Sequence, residues 1–278
     1  MKLACMTLPY ATCSLERALE GISRAGYRYI GIGNPHGGIE LPDADDSSAI
    51  NQLNELFARY NLQPLQLMSN AHFKIDQPIE RARQRMQLAK ALGIREILTI
   101  GTQSYRSFPS ASLTEEDMQP LNRAYIERYK QIAEEAALLD LIITIKPHTG
   151  NTATAAFMLE TLQQIDSPHI QGCYDPGNVE FYEGIAASDD FPQVAEHTFS
   201  LIAKDHRGER GARDFPIPGT GDVDFPAIFT VLKRGGFEGP VFLERVDGPA
   251  VPELIDQRIA DARIRLEHML KDAGFKPE

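Results

Sequence analysis

The chain has 278 residues, 42% of them hydrophobic, and a formal net charge of −11 with the acidic residues dispersed along it. That length can bury a full core, and the dispersed acidity argues against a general nucleic-acid binder, which needs a clustered basic surface. The first ten residues lack the apolar core of a secretion signal, no stretch approaches the roughly 20 apolar residues of a membrane helix, and the three cysteines (Cys5, Cys13, Cys173) have no metal-ligand spacing, so a reducing cytoplasm is expected.

From end to end, apolar runs alternate with amphipathic segments. Strands are expected at about residues 2–8, 27–33, 63–69, 94–101, 141–147, 170–175, 199–205 and 239–245. Most are continuous apolar runs, as suits strands covered on both faces. Cys173 falls inside one of them and reads as a small core residue. Ser14 is placed to cap the first helix, Ser47 and Ser48 the second, and Asp224 the one beginning at Phe225. Gly26, Gly93 and Gly236 stand where a helix ends and a strand begins, which suits left-handed caps. The longest irregular segment, Gly101 to about Glu115, carries Gln103, Tyr105, Arg106 and Phe108 and has the length of a lid. In the last helix Val251, Leu254, Ile255, Ile259, Ala262, Leu266, Met269 and Leu270 form one apolar stripe. Eight strand-plus-helix units without a composition break predict a single (β/α)₈ TIM barrel spanning residues 1–278. An open doubly wound sheet is the alternative, but no Gly-rich dinucleotide fingerprint follows the first strand.

Four of the later strands end on ionisable groups: Lys146 and His148 after Leu141–Ile145, Asp175 and Asn178 after Gly172–Tyr174, Lys204, Asp205 and His206 after Leu201–Ala203, and Glu244 after Val241–Leu243. In a parallel barrel these ends meet at one mouth, where such folds keep their chemistry. Lys146 is either half of a structural ion pair or a desolvated ammonium that binds or polarises a carbonyl. His148 is either a loop histidine or a proton shuttle that titrates near neutrality. Asn178 is a turn residue or a substrate contact. Lys204 and Asp205 pair with each other, or diverge and leave Lys204 free for hydroxyls or an anionic group. His206 and Arg207 belong to a small basic run that is a solvated loop or an anion contact. His36 and His72 follow the second and third strands, on the same face, as secondary substrate contacts.

The pieces Tyr174-Asp175-Pro176-Gly177-Asn178, Ala203-Lys204-Asp205, Pro218–Phe225 and Gly239–Glu244 resemble the xylose-isomerase-like barrels, a superfamily of sugar isomerases, sugar epimerases and AP-endonuclease-type enzymes, over nearly the whole chain. The resemblance implies a divalent ion held by a Glu, an Asp, a His and a Glu on the fifth to eighth barrel strands. Asp175 and Glu244 match. Lys146 stands at the first position and Ile202 at the third, so two of the four ligands are gone and one has become a cation. A metal-free site is therefore expected, with Mn²⁺ or Mg²⁺ through Asp175 and Glu244 as the alternative.

What the resemblance implies is an isomerase or epimerase acting on a small sugar, sugar derivative or sugar phosphate. Asp175 or Glu244 would be the base, Lys146 would stabilise the oxyanion and His148 would shuttle the proton. A lyase or dehydratase on a keto-sugar or cyclic polyol acid, and a non-catalytic sugar binder, are the competing readings. A DNA-repair endonuclease lacks both its metal cluster and its basic groove here. Whether the chain forms a homo-oligomer is left open.

Overall fold

In the computed structural model, which describes residues 1–278, apolar runs and amphipathic segments become alternating strands and helices. β1 (Leu3–Met6), β2 (Tyr29–Ile32), β3 (Gln63–Met68) and β4 (Glu96–Ile100) are followed by a short antiparallel hairpin, β5 (Tyr105–Ser107) and β6 (Ala111–Ser112). Then come β7 (Ile142–Lys146), β8 (Ile170–Tyr174), β9 (Thr198–Ala203) and β10 (Val241–Leu243). All but the hairpin pair in parallel and close into a barrel in the order β1-β10-β9-β8-β7-β4-β3-β2. Closure leaves no sheet edge and forces each connection back along the outside, where a helix packs. These are α1 (Leu15–Arg24), α2 (Ser47–Arg59), α3 (Ile79–Ala91), α4 (Glu115–Leu139), α5 (Ala155–Ile165), α6 (Pro176–Glu183), α7 (Ala187–Asp190), α8 (Phe225–Arg234) and α9 (Pro252–Asp272).

Helix ends follow local chemistry. Ser14 caps α1 and Asp224 caps α8 through their side chains, as expected. The second cap differs: Asp46, not a serine, accepts from Ala49 N at 2.9 Å. Asp45-Asp46-Ser47-Ser48 offers four successive capping side chains, and the chain direction selects among them. Gly26, Gly93 and Gly236 all take positive φ. The lid-length segment contains the β5–β6 hairpin, and the apolar stripe of α9 buries Ile255, Ile259, Ala262, Leu266 and Leu270 but leaves Val251 and Leu254 exposed at its start.

The barrel interior is stratified. Side chains alternate in and out along each strand, so Ser200, Ile202 and Lys204 point inward at three successive heights. At the amino-terminal end Glu96 meets Gln66, Thr144 and, across the barrel, Ser200. Above it lies an apolar layer of Ala4, Met6, Leu98, Cys173, Ile202 and Phe242. Cys173 is a buried core residue, as its strand position predicts, and burial pushes its thiol well up. Above that layer, at the carboxyl ends, are Lys146, Asp175, Lys204 and Glu244. No helix is long and apolar enough to cross a membrane.

Candidate active site

Lys146 is the last residue of β7, Asp175 follows β8, Lys204 follows β9 and Glu244 follows β10. All four are at least 95% buried. Lys146 Nζ donates to Glu244 Oε1 at 2.5 Å and lies 2.9 Å from Asp175 Oδ2. Lys204 Nζ donates to Asp175 Oδ2 at 2.7 Å, Glu244 Oε2 at 2.8 Å and Asn178 Oδ1 at 2.6 Å. The result is a charge-balanced ring of two ammoniums and two carboxylates, each group bonded to both of opposite sign. Burial alone would raise the Glu244 carboxyl, but the two ammoniums outweigh it and hold the group well below the usual carboxylate range. Burial would likewise lower Lys146, yet Asp175 and Glu244 keep it firmly protonated.

The supports are local. Asp175 caps α6 with its other oxygen, accepting from Asn178 N at 3.0 Å, and Pro176 opens the helix. A Cβ on Gly177 would lie 2.5 Å from Lys204 O, so only glycine lets α6 start so close to the end of β9. Asn178 is fixed in turn by donating Nδ2 to Pro147 O at 2.6 Å.

His148 sits beside the ring, with Nε2 2.8 Å from Tyr182 Oη and Nδ1 buried without a partner. Burial, then the ammoniums of Lys146 and Lys204, bring it down to about 4, so it is neutral at physiological pH. Phe108, from the hairpin, packs on Phe181 and Tyr182, and Arg210 lies over Phe108 while donating to Tyr182 O and Tyr105 Oη. Tyr182 is the principal residue that sequence reasoning missed. Its signal was present: it lies four residues after Asn178 on a helix begun by Asp175-Pro176, hence on the same face.

Of the sequence candidates, Lys146, Asp175, Glu244, Lys204 and Asn178 come together, with His148 adjoining. Lys204 and Asp205 diverge. Asp205 accepts from five backbone amides, those of His206, Gly219, Thr220, Gly221 and Val223, and so clasps the Pro218–Val223 loop rather than facing the ring. A Cβ on Gly221 would lie 2.4 Å from Asp205 Oδ1, which accounts for the Gly-Thr-Gly sequence there. His206 Nε2 donates to Ala212 O at 2.8 Å, and its ring lies against Phe181 and Phe215. Arg207 bonds Thr220 O and Asp214 in the exposed loop. These two hold their loop together and do not touch the ring. His36 is tied to Tyr10 O at 3.2 Å, and neither it nor His72 bonds to the ring. A cavity of about 680 Å³ opens at the opposite end of the barrel among Lys2, Arg95, Glu96 and Pro240. A pocket of about 280 Å³ lies on the mouth side between the ends of β3 and β4, reaching Asn70, Lys74 and Gln103.

A closed parallel barrel with ionisable side chains converging at its carboxyl mouth defines the class of TIM-barrel proteins whose site lies in that mouth. The sequence matches the xylose isomerase-like TIM barrels over residues 19–270, and the chain belongs to that family. No curated protein matches it. Among solved structures it is similar to a xylose isomerase domain protein from Planctomyces limnophilus (17% identity, TM-score 0.75, covering 98% of both chains). It is also similar to a D-allulose 3-epimerase from Methylomonas sp. (18%, TM-score 0.74, 97% of this chain and 98% of that one). A third is a probable 3-DHS dehydratase from Bacillus anthracis (17%, TM-score 0.72, 96% and 99%).

The donor set does not fit the divalent ion that the resemblance implies. Asp175 and Glu244 each already accept from two ammoniums, and the side chains form no cluster of three or more His, Cys, Asp or Glu suited to a metal. Ile202 lies in the apolar layer below. A dication placed between the carboxylates would meet both Lys146 and Lys204 at contact range.

Proposed function

We propose that this protein is a sugar isomerase or epimerase that moves a proton next to a carbonyl without a divalent metal, on a small carbohydrate or a derivative of one. The observation that carries the reading is the buried ring in which Lys146 and Lys204 bridge Asp175 and Glu244. It puts two ammoniums and two carboxylates at the mouth, where the family keeps its chemistry. As substrate oxygens engage the ammoniums, Asp175 or Glu244 is freed to take the proton from the carbon beside the carbonyl. The electron pair moves to the carbonyl oxygen, whose developing charge Lys146 and Lys204 stabilise in place of a Lewis acid. His148, neutral and coupled to Tyr182, relays the proton. Return to the neighbouring carbon, with the enediolate hydroxyl proton passed from one oxygen to the other, gives isomerisation, and return to the opposite face of the same carbon gives epimerisation. If a hydroxyl departs instead, the same abstraction makes the enzyme a dehydratase, as the similarity to a probable 3-DHS dehydratase suggests; an unsaturated product identifies that outcome.

Lys146→Met tests the reading, since it keeps side-chain volume and removes the charge. Turnover should fall about 10²–10³-fold, as for loss of one preorganised donor, with solvent deuterium incorporation at the substrate α-carbon falling in parallel. Unchanged turnover and exchange would make Lys146 a structural cation and end the proposal.

A further inference from the structure

Arg85, on the second turn of α3, is 4% exposed, yet it forms no ion pair. Its single hydrogen bond is from Nε to Ser69 Oγ at 3.3 Å. Its two terminal amino groups have no protein partner and are not sealed from solvent. Burying a guanidinium beside a lone hydroxyl is costly, and such a cost is normally offset by a carboxylate. No carboxylate lies within ion-pair distance of it here. Burial lowers its value most; Glu40 and Asp43, both exposed, offset the positive field of Arg81 but not the burial, and the same burial with Arg85 and Arg81 drives His72 toward its neutral form.

Ser69 is the first residue after β3, so the guanidinium is fixed at the barrel mouth. The residues beside it are incomplete in the same way. Asn70 Oδ1 and His72 Nδ1 are buried with no partner, and across the next strand end so are Asn34 Nδ2 and His36 Nε2. Ser69 Oγ accepts from Arg85 and keeps its own proton to give. Asn70 also borders the pocket of about 280 Å³ at the ends of β3 and β4.

We propose that the carboxyl end of β3 is a subsite for an oxyanion carried by the substrate, a carboxylate or a phosphate, with Arg85 as its counter-ion and Ser69 and His72 as further hydrogen-bond partners. A planar guanidinium with two free amino groups takes two oxygens of one anion side by side, which gives geometry as well as charge. The anion supplies the charge that the fold leaves out. The proposal rests on the isomerase or epimerase reading only in taking the ligand to be a sugar derivative.

The experiment is calorimetric titration of the whole protein with three ketoses: neutral D-fructose, 2-keto-D-gluconate with a carboxylate, and D-fructose 6-phosphate. At least one anionic ketose should bind the wild type about 10–100-fold tighter than D-fructose, the range for a charged hydrogen-bonded contact. Whichever of the two is preferred identifies the source of the anion. Arg85→Gln should bring that probe to the D-fructose level and leave D-fructose unchanged, and Arg85→Lys should keep part of the preference. If Arg85→Gln does not fold, the wild-type ratio and its decline in Ser69→Ala decide the matter. Equal affinity for all three ketoses, no measurable binding of either anionic one, or a preference that survives Arg85→Gln would overturn the subsite. Because the readout is binding, an anion preference without α-proton exchange refutes the catalytic reading alone, and exchange without anion preference refutes the subsite alone.

Discussion

At the mouth, Glu244 is held in its charged form by two ammoniums; at the other end of the barrel, Glu96 is equally buried but meets only neutral donors. Glu96 Oε1 accepts from Gln66 Nε2 and Thr144 Oγ1 at 2.8 Å and from Ser200 Oγ at 2.5 Å, while Glu96 Oε2 and Gln66 Oε1 have no partner. Burial outweighs those three bonds and pushes Glu96 up to about 7. The same residue type in the same barrel is thus an anion at one end and ready to take a proton near neutral pH at the other, decided by whether lysine or amide stands beside it. The apolar layer of Met6, Leu98, Ile202 and Phe242 keeps the two regions apart.

Breaking the charged layer should have the largest effect. Glu244→Gln leaves two buried ammoniums with one carboxylate, and stability should fall by about 3–5 kcal/mol in urea unfolding. A loss under about 1 kcal/mol would mean that water, not Glu244, balances the lysines.

The neutral layer is probed by pH. Because Glu96 titrates near 7 when folded and near 4.5 when unfolded, the folded state holds the extra proton between those values. The Glu96 contribution to stability should therefore decline by about 3 kcal/mol as pH rises from 4.5 to 7. Glu96→Gln, which keeps the shape and cannot ionise, should remove that contribution, so the difference in stability between wild type and variant should change by this amount across the window. An identical pH profile for wild type and variant would show Glu96 to be ionised throughout.

His148 gives the opposite slope over nearly the same range, so the two offset each other in the wild type between about 4.5 and 6.5 and each is read from its own variant. Its folded value of about 4 lies below its unfolded 6.5, so the unfolded chain takes up the proton first. The His148 contribution present above 6.5 should be lost by about 3 kcal/mol as pH falls toward 4, and His148→Gln should remove it and leave the Glu96 decline standing alone.

The smallest effect concerns metal. Lys146→Glu with Ile202→His restores two ligand types but leaves the Lys204 ammonium against both carboxylates. Manganese should bind at least tenfold tighter, about 1.4 kcal/mol, only when Lys204→Met is added. Equal affinity in the double and triple variants would show that Lys204 yields its place to the ion.

The barrel was legible because its strands are covered on both faces and so appear as unbroken apolar runs. The β5–β6 hairpin was not, since strands of three and two residues carry no period to read. Lys146, Asp175 and Glu244 stood out as charges ending apolar runs. Lys204 carried the same signal, but its neighbour Asp205 offered an equally good local partner, and only the opposite facing of successive strand residues separates them. Arg85 was hidden for another reason: among Arg81, Arg83 and Lys90 on one helix, it looks like part of a solvated face.

The ring at the mouth is already complete before any ligand arrives, and this sets a rule of admission. A visiting group can enter a lysine–carboxylate contact without loss only if it replaces both halves, giving a hydrogen to the oxygen it displaces and offering a lone pair to the nitrogen. A hydroxyl does this with one atom. A ketone oxygen has only lone pairs, and a hydrocarbon has neither. A molecule presenting a carbonyl flanked by hydroxyls can therefore wedge the ring open step by step, each hydroxyl holding apart a pair that would otherwise snap shut. A bare ketone would have to leave a carboxylate stranded. On the proposed reading, the self-satisfied ring would thus act as a filter for polyhydroxylated molecules before any proton moves.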